Sequence, residues 1–229
     1  MLEVVYLIFN EGYAATAGDD LIRPALCAEA RRLGRILVGL APDEAEGLGL
    51  SALMDLQASR LDARTAPDGS SIPLPEQNRA RWDRLLIRQG LETLTRADAL
   101  PGPPGPYRLQ AAIAACHARA ATADATDWPA IARHYDRLLD ALPSPVVALN
   151  RAVAHSMAFG PDSGLGLLAE IETAPALSAY APLPAARGDF LRRAGRNAEA
   201  KAQFERAASL SRNARERDFL LRRAAECGD

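Results

Sequence analysis

Prolines and glycines fall in short clusters along this chain, and the stretches between them are made of helix formers. Breaks occur at "GDDLIRP" ending at residue 24, "LAPDE" at 40–44, "RTAPDGSSIPLPE" at 64–76, "LPGPPGP" at 100–106, "TDWP" at 126–129, "LPSP" at 142–145, "FGPDS" at 159–163 and "RAGRN" at 193–197. Such clusters interrupt helix because proline lacks an amide donor and glycine loses the most conformational freedom on ordering. The segments between them run about 10 to 24 residues, a length that suits helices joined by short turns. Alanine, leucine, arginine and glutamate dominate them, β-branched residues are sparse, and no window alternates apolar with polar for long. Without that period of two a strand has no buried face, so the chain is expected to be all-α. The caps agree: Ser144 is placed to accept from the first amides of a helix whose first turn holds Pro145, and Asp127 and Asp162 are placed to do similar work. The longest breaks suggest two packed subdomains, 1–100 and 101–229, forming one module.

Composition excludes several functions. With 48% hydrophobic and 24% charged residues over 229 positions, the chain can bury a sizeable core. Its net charge of −2 leaves no basic surplus to neutralise phosphates, so direct DNA binding by this chain alone is not expected. Cys27, Cys116 and Cys227 are widely spaced and odd in number, which reads as reduced thiols in a cytoplasmic protein. The apolar stretch from Val4 to Phe9 is too short for a membrane span and lacks the flanks of a signal peptide.

A repeat is visible in the second half. "IARHYDRLLDALPS" spaces Ile131, Tyr135, Leu138 and Pro143, and "EAKAQFERAASL" spaces Ala200, Phe204 and Ala207, as the second helix of a tetratricopeptide repeat does. In that helix–turn–helix unit a small, an aromatic and a second small residue pack against the first helix. The registers start near 112 and 181, with a weaker unit near 146 in which Leu165, Ala169 and Glu172 stand at the three positions. Gly160 and Gly195 fall at the turns, and Ala30, Gly34, Leu37 and Pro42 hint at a degenerate unit upstream. The expected fold is a tetratricopeptide-like superhelix of helical hairpins.

The motifs "VVYLIFNEGY", "DLIRPALCAEARRLGRIL", "RWDRLLIRQGL", "GPYRLQAAIAACHA", "TDWPAIARHYDRLL" and "SPVVALNRAVA", in that order, span nearly the whole chain. The series resembles the tetratricopeptide-like C-terminal extension of a group of extracytoplasmic-function (ECF) RNA polymerase sigma factors. The resemblance implies a regulatory, non-enzymatic interaction module whose partners are the sigma core domains, in the same native chain, and RNA polymerase. In that family sigma regions precede the extension, whereas here Met1 stands directly before Leu2 to Phe9. The chain thus reads as a piece trimmed at a domain boundary, the alternative being a separate gene for the extension.

Leu2, Val5, Tyr6, Phe9 and Tyr13 share one helical stripe, which marks either core or a docking surface for sigma regions, with Asn10 and Glu11 beside it. Asp19 and Asp20 are expected to cap the helix opening near Pro24, there being too few local ligands for a metal. Asn150 and Arg151, with Val147, Ala154 and Met157, fall on the helix expected to line the concave face, where an amide and a guanidinium suit an extended partner. Trp82 is expected in the core, with Arg79, Arg81 and Asp83 on an exposed mixed-charge face. His117, His134 and His155 match no ligand or nucleophile spacing, and no cofactor or metal is expected. A small-ligand sensor, its groove closing on a metabolite, is the rival reading.

Overall fold

The computed structural model describes residues 1–13, 22–66, 72–211 and 213–228, with the side chain of residue 215 left aside. Asp19 and Asp20, expected to cap the helix opening near Pro24, lie outside the described residues. The fold is all-α. Eleven α-helices are present among the described residues: α1 (Leu2–Tyr13), α2 (Pro24–Leu40), α3 (Ala45–Ala58), α4 (Arg84–Ala99), α5 (Pro106–Arg119), α6 (Trp128–Ala141), α7 (Pro145–Phe159), α8 (Pro161–Ile171), α9 (Pro182–Arg193), α10 (Asn197–Leu210) and α11 (Ala214–Ala225). Prolines open α2, α5, α7, α8 and α9, where the missing amide would have had no intrahelical partner. Gly160 and Gly195 take left-handed φ values of 98° and 76° at the turns where the sequence placed them. Ser144 departs from expectation: its side chain makes no capping bond, and Pro145 alone marks the start of α7.

Two compact units emerge, residues 1–127 and 128–229. The sequence reading put the division at 100/101. It falls later because α5 packs on α3 and α4, completing the first unit.

In the first unit α3 is the central element. Leu48, Leu50, Leu53, Met54 and Leu56 are each at most 1% exposed, since α2, α4 and α5 cover different faces of this helix. A helix apolar all round is stable only when so enclosed. Asp55 is a buried charge on this helix, held by Arg31 Nε of α2 at 2.7 Å. The start of α5 is fixed by a distant side chain: the Glu46 carboxylate accepts from the amides of Gly105 at 3.1 Å, Tyr107 at 2.8 Å and Arg108 at 3.3 Å. An anion there meets the positive end of the helix.

In the second unit each helix packs against the next, α6 on α7, α7 on α8, α8 on α9, α9 on α10 and α10 on α11. The repeat read from residue 112 is therefore divided, since α5 belongs to the first unit and α6 pairs with α7. In the α9–α10 hairpin Ala200, Phe204 and Ala207 are all buried, with Gly188 of α9 beneath the Phe204 ring. Asp189 of α9 accepts from Arg223 of α11 at 2.8 Å, and the same guanidinium lies 5.1 Å from the Phe204 ring centre, joining three helices.

Candidate interaction surfaces

Helix α1 carries apolar residues on two faces, and only one is used inside the unit. Val5 and Phe9 are buried, Phe9 completely, among Cys27, Ala30, Leu50 and Met54. Tyr6 donates to Gln110 Oε1 at 2.9 Å and meets the Tyr107 ring edge-on at 5.4 Å. Burial raises its pKa, opposed in part by a hydrogen bond with Asn10. Tyr13 stacks on Phe9 at 5.6 Å, with the Arg64 guanidinium 3.6 Å over its ring. Glu11 pairs with Arg23 at 3.0 Å. The stripe Tyr6, Phe9 and Tyr13 thus points into the fold, and Asn10 and Glu11 are engaged locally.

The other face of α1 is open. Val4 is 59% exposed and Leu7 61%, three residues apart and so one turn above the other, with Met1 beyond them. Gly12 of α1 lies against Cys27 in the first turn of α2, and its carbonyl accepts from Arg23 N at 2.7 Å. The pair therefore runs antiparallel, and α1 begins where α2 ends. That end of α2 exposes Ile36 and Leu40. The sequence reading passed over Val4 and Leu7 because it took the stripe with aromatics as the informative one. The missed signal is that "LEVVYLIF" is apolar beyond what one buried face needs.

On α7 the expected pair separates. Asn150 is exposed, and Val146, Val153 and Met157 share its stripe, Val153 being half-buried. Arg151 turns aside: its Nε donates to Asp136 Oδ1 of α6 at 2.6 Å, and its Nη1 lies 4.0 Å from Glu170. His155 Nε2 stands 2.9 Å from the same Asp136 oxygen. Burial works against the Asp136 carboxylate, but hydrogen bonds from Arg151 and His155 outweigh it and hold its pKa below the ordinary value. Met157 Sδ accepts from Arg193 Nη1 at 3.4 Å, and Ala154 is core, while Val147 is half-buried.

Trp82 is buried as expected, and Arg79 is not exposed as expected. Its guanidinium donates to the carbonyls of His117 at 2.6 Å and Ala120 at 2.7 Å and to Thr126 Oγ1 at 3.0 Å, leaving Arg79 7% exposed. The cation thereby serves the negative end of α5. Asp83 caps α4, accepting from Leu85 and Leu86. Elsewhere, an open groove of about 350 Å³ in the second unit has Leu165, Ala169 and Leu191 in its floor and the Glu172–Arg187 ion pair at its edge. Among the described residues no group of three or more His, Cys, Asp or Glu is placed to hold a metal. No described helix is long and apolar enough to cross a membrane.

Two similarities bear on these surfaces. Residues 1–98, which carry α1, α2, α3 and nearly all of α4, match DUF6596, described as a family of unknown function. The chain is also 42% identical over 217 residues to the uncharacterized protein R00370 of Rhizobium meliloti (strain 1021). That match takes in 95% of this chain and 51% of the relative, so the chain spans about half the length of the protein it matches.

Proposed function

We propose that this chain is a tetratricopeptide-like regulatory module of an ECF-type sigma factor, working in the cytoplasm by protein contact and without catalysis. It supports or controls transcription initiation by docking on sigma core domains or polymerase. The open aliphatic face of α1, Val4 and Leu7 with Met1, carries this reading, because large apolar side chains exposed together on a helix are what a partner buries. The motif series along the chain supplies the kind of partner. A relative with roughly as much chain again outside the match is consistent with a module joined to a second region.

The docking face is the side of α1 opposite Phe9. Purified chain titrated with the sigma core from the same gene should bind saturably. Val4→Gln with Leu7→Gln should weaken that binding without lowering thermal stability, whereas equal binding by the double variant would reject the assignment. The groove beside Leu165 and Leu191 supports a second reading, a metabolite sensor. Thermal stabilisation by a small molecule, with none by the sigma core, would favour it.

A further inference from the structure

The first unit gathers three arginines around two aromatic rings. Arg64 lies 3.6 Å from the Tyr13 ring centre and Arg79 4.8 Å from that of Trp82. Arg60 stands between, 5.9 Å from each. The three hydrogen bonds that the Arg79 guanidinium donates go to neutral oxygens, those of His117, Ala120 and Thr126, so they leave its charge uncompensated. Arg64 Nη1, Arg79 Nε and Trp82 Nε1 are buried N–H donors with no hydrogen-bond partner among the described residues. Arg79 and Trp82 are 7% and 3% exposed, respectively. The field of the cluster is felt nearby: burial first, then Arg60 and Arg79, depress the pKa of His117.

Buried donors without acceptors, one of them on the Arg79 cation whose hydrogen bonds go to neutral oxygens, are costly unless an anion completes them. We propose that Arg60, Arg64, Arg79 and Trp82 form a binding site for a phosphate group, free or carried on a small phosphomonoester. Donors on three separate side chains suit a tetrahedral group with several charged oxygens better than a planar carboxylate, and guanidinium is the cation whose planar fork matches phosphate oxygens. The site is independent of the α1 docking face.

Calorimetric titration and thermal unfolding of the whole chain test this, with inorganic phosphate, pyrophosphate and glycerol phosphate as probes. Acetate and chloride at matched ionic strength are the controls. Phosphate should bind saturably and raise Tm as a ligand of the folded state does, while the controls should not. Glycerol phosphate binding as well would mark an open site for phosphomonoesters, and inorganic phosphate alone a closed one. Arg64→Gln should weaken binding by about tenfold or more, the effect of one charge-assisted bond. Arg64→Lys, which keeps the charge and loses the fork, replaces that variant should it fail to fold. Absence of saturable binding by every probe, or undiminished binding by the Arg64 variant, would overturn the proposal.

Discussion

Gly188 and Phe204 are in van der Waals contact across α9 and α10 so closely that a Cβ at position 188 would stand 3.0 Å from two ring carbons. Phe204 is 2% exposed, so Phe204→Ala should lower stability by about 3–5 kcal/mol in a denaturant titration. Gly188→Val should lower it by about 1–3 kcal/mol, because the ring must move to admit the side chain. A loss below about 1 kcal/mol for Phe204→Ala would mean that this hairpin is not packed as described.

Buried His117 predicts a pH dependence. Its pKa falls from 6.5 to about 4 in the folded protein, through burial and then the charges of Arg60 and Arg79. Above pH 6.5 the imidazole is neutral in both states and its contribution is complete. As pH falls toward 4 the unfolded chain takes up a proton that the folded protein refuses, and stability declines by about 3 kcal/mol in total. Urea midpoints measured across that window should show a decline that His117→Gln removes; an unchanged slope in the variant would place its origin elsewhere.

The fold class was legible because its signals are local. Proline clusters and missing alternation need no knowledge of neighbours, and Ala200, Phe204 and Ala207 occupy the core positions their spacing indicated. The sites were less legible, because their logic is tertiary. Nothing near Arg79 announces that the carbonyls of His117 and Ala120 will take its guanidinium, and nothing near Arg151 announces Asp136. Periodicity likewise finds an apolar stripe on α1 without saying that Phe9 faces the core while Val4 and Leu7 remain open.

Glu46 offers a test of packing between distant segments. Its carboxylate accepts from three amides at the start of α5, so Glu46→Ala should cost about 1–2 kcal/mol and Glu46→Gln less. Equal stability of the alanine variant and the parent in guanidinium unfolding would show that solvent serves those amides as well.

Asn150 and Arg151 should behave differently despite being adjacent. Asn150→Ala removes an exposed side chain and should change stability by less than about 0.5 kcal/mol. Arg151→Ala strips Asp136 of a hydrogen-bonded cation and should cost roughly 1 kcal/mol, a value kept small by the pair's partial exposure. Matching thermal shifts for the two variants would contradict the contacts described.

The central claim is that the open face of α1 docks on a sigma core. In transcription reconstituted with polymerase and an ECF-type sigma core joined to this chain as proposed, Val4→Gln with Leu7→Gln should reduce initiation while leaving stability within about 0.5 kcal/mol of the parent. Phe9→Ala, which opens the core, should reduce both. Undiminished initiation by the folded double variant would contradict the account.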